Sequence, residues 1–205
     1  LEVTALLSSG GITEADIRAG RYDHAKISIF QVNWQSPEMG KLPIRSGWLG
    51  EFNVKDHYFT VEIRGIAQQL QQTVGDVFSP ECRANLGGPG CHVNMDHFSV
   101  VGRVTSVIDA DRFSDTARTE EAGWFDYGLI RWIRGKNAGL ISEVKSFTAG
   151  EIILFDVLPE LLTVGDMYLM RAGCDKRAVT CKSKFTNFAN FRGETAIPGN
   201  DSLYD

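Results

Sequence analysis

The placement of four cysteines constrains this chain more than any other feature of its sequence. Cys82 and Cys91 are spaced as C-x8-C, Cys174 and Cys181 are spaced as C-x6-C, and the chain contains four cysteines in all. Two distant pairs of thiols can form two disulfides, a tetrahedral zinc site or the ligand set of an iron–sulfur cluster. A metal centre bound by all four would tie together two remote segments of the chain.

The spacing within each pair favours a cluster. Structural zinc usually takes paired ligands that are about two to four residues apart, because a tight knuckle must bring both thiolates to one small ion. A cubane cluster is larger, and its four thiolates bind separate irons at its corners. Disulfides are typical of small secreted domains, and a chain of 205 residues does not need them for a core. Zinc, disulfides and unpaired buried cysteines stay open at this point.

The residues around the cysteines bear on the same question. The sequence Gly-Gly-Pro-Gly at positions 87–90 precedes Cys91, and such a loop lets the backbone approach a ligand closely. Six basic residues and one acidic residue between positions 171 and 192 give that segment a charge of +5, in a chain with a net charge of −5. Local positive charge favours thiolates and an anionic cluster. An ordinary basic surface patch is the alternative explanation.

The remaining sequence predicts a mainly β, α+β fold built from a small barrel or sandwich. Strand patterns with short glycine-containing turns recur along the chain, which contains 21 glycines. Strands are predicted at residues 1–7, 25–34, 42–54 with a bend at Gly47 or Gly50, 59–63, 98–108, 127–134, 140–147, 151–157 and 167–171.

Helices are predicted to be few. Thr13 followed by Asp16 resembles a capping box and predicts a short helix over residues 14–19. Ile66, Leu70 and Val74 follow helical spacing. Residues 174–191 lose the strand pattern and are predicted to be partly helical, which would place Cys174 and Cys181 on one helix face about two turns apart. Residues 109–121 are polar and acidic and are predicted to be a loop.

Several functional classes find no support in the sequence. No stretch of about 18 apolar residues exists that would predict a membrane span. The net charge of −5 argues against nucleic-acid binding, which needs clustered Lys and Arg. The chain begins with Leu1 and not Met, so we expect a piece of something longer.

Catalytic motifs are also missing, and no enzyme activity is predicted. His92 and His97 lie near Cys91, so a Cys–His nucleophile pair is conceivable, but second-shell or surface histidines are the favoured interpretation. Other candidate residues are predicted to have ordinary roles: a solvated acidic loop and aromatic anchors of a core or an interface, namely Asp109, Asp111, Asp115 and Asp126, and Trp34, Trp48, Trp124 and Trp132.

Two groups of motifs resemble a known family. The first group lies near the start of the chain: Leu1-Glu2-Val3, Ile12, Ala19-Gly20-Arg21-Tyr22-Asp23 and Val32-Asn33-Trp34. The second and more specific group lies near its end: Gly173-Cys174-Asp175-Lys176-Arg177, Thr180-Cys181, Phe185, Asn187, Asn190-Phe191-Arg192-Gly193 and Pro198-Gly199-Asn200-Asp201. Together they resemble the hub proteins at the tail tip of long-tailed phages and gene transfer agents. The two cysteine spacings are similar to those of the minor tail protein L of lambda-like phages.

The resemblance covers essentially the whole chain and implies a structural component of the tail tip. It implies β-barrel hub domains and a [4Fe-4S] cluster held by Cys82, Cys91, Cys174 and Cys181. It further implies a homotrimer that joins the tail tube, through the distal tail protein, to the central tail-tip protein. Such a protein is assembled in the bacterial cytoplasm and resides in the particle. Relatives carry a further segment before the position of Leu1.

The division expected from this resemblance has three parts: a β-rich hub domain at residues 1–78, cluster-binding segments at 79–97 and 172–205, and a second small barrel at 98–171. Two alternatives remain for the function. An iron–sulfur redox protein would need a second cofactor site or an open substrate pocket. A zinc-stabilised binding module would contain zinc in place of iron.

Overall fold

A computed structural model describes residues 2–7, 11–71 and 74–197 of the chain, without the side chain of Gln69. Leu1, where the first predicted strand begins, and the Pro198–Asp201 motif lie outside the described residues. The chain divides into two compact units, Leu1–Val74 and Gly75–Asp205. None of the described helices is long and apolar enough to cross a membrane.

The N-terminal unit is one antiparallel sheet with two short helices. The strands follow the order β1-β4-β3-β2 in the sheet. Helix α1 lies between β1 and β2, a 3₁₀ turn (Pro37–Met39) joins β2 to β3, and α2 follows β4. The bounds are β1 (Glu2–Leu6), α1 (Glu14–Arg18), β2 (Lys26–Val32), β3 (Lys41–Lys55), β4 (Tyr58–Arg64) and α2 (Ile66–Leu70).

The core of this unit follows from the alternation on β4. Phe59, Val61 and Ile63 are buried, each at 3 % exposure or less, as the period-two pattern predicts. Ile17 of α1 is buried in the same cluster as Phe59 and Val61. The helix begins where the capping box predicts, because the Thr13 Oγ1 accepts a hydrogen bond from the backbone N–H of Asp16 at 3.1 Å.

The predicted bend in the third strand is a shift of register. Between Leu49 and Phe52 the pairing of β3 with β4 slips, and Gly50 lies inside this irregular stretch. Gly47 is required for a different reason: a Cβ there would stand 2.5 Å from the backbone oxygen of Arg64. The close approach of β4 therefore needs a residue without a side chain.

The prediction for residues 66–74 is partly wrong. The helix α2 has a single turn and ends at Leu70, before Val74. Ile66, Leu70 and Val74 are all exposed, Val74 at 96 %, so their spacing does not mark a core-facing stripe within the described residues.

The C-terminal unit is a curled antiparallel sheet. Its strand order is β5-β11-β8-β9-β10-β7-β6. A six-residue helix α3 and 3₁₀ turns at Met95–Phe98 and Phe188–Asn190 complete it. The bounds are β5 (Ser99–Arg103), β6 (Ser106–Asp109), β7 (Arg112–Ser114), β8 (Leu129–Arg134), β9 (Ile141–Thr148), β10 (Glu151–Leu154), β11 (Met167–Arg171) and α3 (Ala178–Ser183).

The sheet curls because its two outermost strands are consecutive in the chain. Only Val104 and Thr105 separate β5 from β6. The Val104 N–H bonds the carbonyl of Asp166 at 2.9 Å, and the Thr105 N–H bonds that of Ser114 at 2.8 Å, so backbone pairing passes from one edge of the sheet to the other. This arrangement confirms the mainly β fold with a curled antiparallel sheet; closure into a barrel and the division into cluster-binding segments and hub domains stay predictions.

Aromatic rings fill the interior of this curled sheet. Trp132, Tyr168 and Phe113 are each at 1 % exposure or less, and their ring centroids lie 5.5 to 5.9 Å apart. Trp132 is therefore a core anchor, which is one of the two roles predicted for it. Trp34, by contrast, is 80 % exposed.

The prediction of a polar, acidic loop at residues 109–121 is wrong in part. Strand β7 runs through it, and Asp115 is buried at 1 % exposure. Its carboxylate accepts hydrogen bonds from the Tyr168 hydroxyl at 2.7 Å and from the N–H groups of Arg103 and Ala117, each at 3.0 Å. These donors make burial of the charge possible. Burial and the neighbouring carboxylate raise the pKa of Tyr168.

Candidate metal centre

All four cysteines line one small, largely enclosed cavity in the C-terminal unit. Cys91 and Cys181 are buried, Cys82 and Cys174 are half-buried, and none of the four forms a disulfide. The rest of the wall is mostly apolar and is formed by Ala84, Leu86, Val93, Phe185 and Phe191. Two basic side chains and one amide complete it: Lys176, Arg177 and Asn190. The fold thus brings together the residues that the spacing of cysteines singled out.

The glycine-rich loop positions the first pair. Gly87 has a φ of +73°, and a Cβ there would meet the side chain of Met95 at 2.4 Å. The N–H groups of Cys91 and His92 both bond the carbonyl of Gly88 at 3.0 Å, which closes a tight turn. This turn carries Cys91, whose side chain forms part of the cavity wall.

The second pair is positioned by the end of β11 and by α3. Gly173 follows the strand, and a Cβ there would lie 1.7 Å from the carbonyl oxygen of Asp126, so no other residue fits. Cys174 comes next, whereas Cys181 lies on α3 and bonds the Arg177 carbonyl through its N–H at 3.1 Å.

The prediction that both cysteines share one helix is wrong. Lys176 has a φ of +65°, which no helical residue adopts, and α3 begins only at Ala178. The Asp175 carboxylate accepts bonds from the N–H of Arg177 at 3.0 Å and from the Thr180 hydroxyl at 2.9 Å, and so stabilises the start of the helix.

Direct hydrogen bonds join the two cysteine segments across the chain. The Cys82 N–H bonds the carbonyl of Lys176 at 2.8 Å. The Asn187 side-chain amide donates to the carbonyl of Cys91 at 2.6 Å. Asn190 in turn donates to the Asn187 side-chain oxygen at 2.7 Å, which fixes the orientation of that amide.

A second link closes the C-terminal end of the site. Glu194 and Ser79 exchange backbone and side-chain bonds of 2.8 and 3.0 Å, and the Arg83 guanidinium bonds the Glu194 carboxylate at 2.7 Å. The hydrogen bond from Arg83 is the main reason why the pKa of Glu194 is lowered. Residues 79–94 and 172–194 therefore form one connected structure around the cavity.

Donors also face the sulfur atoms. The backbone N–H of Arg192 lies 3.4 Å from the Cys82 Sγ, and the Asn187 amide nitrogen lies 3.6 Å from the Cys91 Sγ. Such donors stabilise coordinated thiolates and tune the potential of iron–sulfur clusters. Burial raises the pKa of Cys174 and Cys181, and metal binding requires the thiolate forms of its cysteine ligands.

The four cysteines are the residues of this site that could hold a metal centre together. Among residues 2–7, 11–71 and 74–197, no three His, Cys, Asp or Glu side chains come close enough together to hold one metal ion. All four cysteines line the same cavity, and a polynuclear centre binds its thiolates at separate irons, so its ligands need not converge on one ion. His92 and His97 are exposed and do not line the cavity, so the conceivable Cys–His pair does not form there.

Comparisons with known proteins cover most of the chain. Residues 1–94 match a family described as "Baseplate hub protein, N-terminal attachment domain". Residues 123–201 match a family described as "Phage conserved hypothetical protein BR0599". A chain in the solved structure "Virion of native gene transfer agent (GTA) particle" is 37 % identical, with a TM-score of 0.88 over 100 % of this chain and 72 % of that chain. No curated protein matches the sequence.

Proposed function

The chain belongs to the tail-tip hub proteins of phages and gene transfer agents, and it is a structural protein of the tail of such a particle; from this premise we propose that it joins the tail tube to the central tip and is held together by a [4Fe-4S] cluster. The cluster's ligands are Cys82, Cys91, Cys174 and Cys181. The observation that carries this proposal is the convergence of these four cysteines, from two distant segments, on one cavity.

The residues of the site fit such a group. Four unpaired thiols, an apolar wall and donors aimed at two sulfurs provide what a buried cubane needs. When bound, the cluster supplies covalent cross-links between four thiolates and one-electron redox capacity. The chain's own residues orient the thiolates: Gly173 allows the close approach that places Cys174, and Asn187 holds the loop of Cys91.

The role of the cluster is structural in this proposal. Residues 174–197 contribute only two buried apolar side chains, Cys181 and Phe185. Metal binding stabilises a folded state directly, because the formed site does not exist in the unfolded chain. A cross-link to the loop of Cys82 and Cys91 supplies the stability that this segment cannot obtain from burial alone.

The joining role is assigned to the exposed end of the β2–β3 hairpin, residues 30–45, here called the hairpin tip. Trp34 is 80 % exposed and Met39 is 74 % exposed, and four further large apolar residues of the tip are exposed with them: Phe30, Val32, Leu42 and Ile44. Exposed Trp, Phe and Met are typical of protein interfaces. The matching family is named for an attachment domain over residues 1–94, which supports docking of the tip on the distal tail protein.

Assembly as a homotrimer, with the central tail-tip protein as its other neighbour, completes the proposal. The resemblance to tail-tip hub proteins implies this trimer and both of its neighbours. The virion relative at 37 % identity supports a place in this assembly.

Metal analysis of the purified chain tests the cluster. Protein prepared without oxygen should be brown and contain about four irons and four inorganic sulfides per chain. Replacement of the ligand in Cys91→Ser should lower the iron content. Stoichiometric zinc without iron would overturn the cluster in favour of a zinc module.

A further inference from the structure

Two lysines near the cavity are held in an unusual way. Lys176 is half-buried, lines the cavity and donates its ammonium to the carbonyl of Ala84. Lys184 is half-buried, and its ammonium donates to the carbonyl of Trp124 and to that of Gly173 at 2.8 Å. Both charges are therefore fixed in place by neutral acceptors.

Lys184 is also enclosed by aromatic rings. Its ammonium lies 4.8 Å from the Trp124 ring centroid and 5.4 Å from that of Phe185, whose side chain forms part of the cavity wall. The enclosure lowers the pKa of Lys184 because burial disfavours the charged form. Carbonyls and ring faces offset part of this desolvation but carry no full negative charge.

No carboxylate of the described residues pairs with either ammonium within 4.0 Å. The two carboxylates nearest to Lys184 have other roles. Asp126 accepts from the Phe147 N–H at 2.7 Å, and Asp175 stabilises the start of α3. Buried charges in proteins are normally paired with an opposite charge, and no carboxylate of the described residues forms an ion pair with these two half-buried lysines.

The position of the lysines points to the sulfur atoms as that opposite charge. Lys176 lines the same cavity as Cys174, and Lys184 bonds the carbonyl of the preceding Gly173. The two ammonium groups thus flank the segment that carries Cys174. Four thiolates on a cubane leave a net negative charge, which grows by one when the cluster is reduced.

We infer that Lys176 and Lys184 are the counter-charges of the metal centre, which retain it in the cavity and raise its reduction potential. The inference rests on the proposed function, because it assigns roles toward the same cluster. A fixed positive charge stabilises the reduced state more than the oxidised one, since the reduced state carries more negative charge. These lysines are positioning residues and not ligands.

Neutral variants that keep a hydrogen-bond donor test this inference. Lys176→Gln and Lys184→Gln remove the charge but retain an amide that can reach toward the same carbonyls. Lys182→Gln is the matched control, because Lys182 lies exposed on α3 and its loss changes the net charge equally. Lys184→Arg keeps the charge and should restore the wild-type behaviour.

The readouts are iron per chain, the rate of iron loss to a chelator and the reduction potential of the anaerobic protein. Each Gln variant should lose iron about tenfold faster, and its potential should fall by about 59 mV, the equivalent of a tenfold change for one electron. The inference would also be supported if neither Gln variant loaded iron while Lys182→Gln did. In that case the free energy of unfolding of the curled sheet should match that of the wild type.

Two results have different consequences. Wild-type protein without iron would defeat the proposed function itself. Wild-type protein with about four irons, together with Gln variants that match Lys182→Gln in potential and in iron loss, would overturn only the assignment of the lysines.

Discussion

The substitution Cys181→Ser should release the C-terminal segment while leaving the curled sheet folded. Serine is close to cysteine in size but is a poor ligand for iron, so the change removes one corner of the cluster without crowding the site. Cys181 lies on α3, and α3 with its neighbours is connected to the remaining chain mainly around the cavity. We therefore expect residues 174–192 to become disordered when the cluster is lost.

The size of the effect follows from the short helix. Helix α3 has six residues, well below the roughly 12 to 15 residues at which an isolated helix becomes marginal in water. Ordering the backbone costs roughly 1–2 kcal/mol per residue, or on the order of 6–12 kcal/mol for α3. Burial of Phe185 contributes only about 1.5–3 kcal/mol. A net loss of ~3 kcal/mol would raise the open fraction more than about a hundredfold.

Limited digestion with trypsin measures this opening. Cleavage after Arg177 and Lys182 should become at least about a hundredfold faster in Cys181→Ser, because proteolysis tracks the open fraction when closing is fast. Val179→Ser is the matched control, since Val179 is an exposed residue of the same helix. Digestion of Cys181→Ser at the wild-type rate, with iron gone, would refute a structural role for the cluster.

Three further changes test other parts of the account. Asn187→Asp replaces the donor that contacts Cys91 by a carboxylate, so iron release to a chelator should accelerate about tenfold (a lower limit for outer-shell changes); an unchanged rate would contradict the role of the amide. Tyr168→Phe removes the bond to buried Asp115 and should lower the free energy of unfolding by about 1.5–3 kcal/mol in urea titrations; a loss below about 0.5 kcal/mol would show that the bond contributes little. Trp34→Ser changes an exposed residue of the hairpin tip, so stability should stay within about 0.5 kcal/mol while incorporation into particles falls; normal incorporation would exclude this residue from the interface.

Some strands of the C-terminal unit could be predicted closely from sequence because their signals are local, whereas the single strand predicted at residues 98–108 is two strands, β5 and β6. Residues 167–171 were predicted as a strand, and β11 has these bounds. The strand predicted from residue 127 begins only at Leu129, because Tyr127 has a φ of +61° and cannot continue an extended backbone. Positive φ at a residue other than glycine has no reliable sequence signal, so boundaries of this kind are missed.

The errors around Asp115 and Cys174 have a common cause. Asp115 is buried because it bonds Tyr168, which lies 53 residues away in sequence. Cys174 is excluded from α3 by the backbone of Lys176, whose side chain reaches Ala84 in the opposite segment. Local composition cannot reveal such distant partners.

The candidate site could likewise be predicted only in part, because some of its features depend on distant partners. Spacing and resemblance predicted the four cysteines as ligands, and the fold places all of them around one cavity. The charge of +5 over residues 171–192 could not distinguish Lys184 from Lys182, which lies two residues away in sequence. Lys184 is half-buried beside Trp124, whereas Lys182 is exposed. Only tertiary contacts separate a solvated charge from a counter-charge.

An electron cryo-microscopy map of the assembled particle tests the central claim most directly. The account predicts three copies of the chain at the tail tip, each with density for a compact metal cluster bonded to Cys82, Cys91, Cys174 and Cys181. The hairpin tip should be covered by a neighbouring tail protein. A single-ion peak, or four cysteines with no density between them in intact particles prepared without oxygen, would contradict the claim that a [4Fe-4S] cluster holds this hub together.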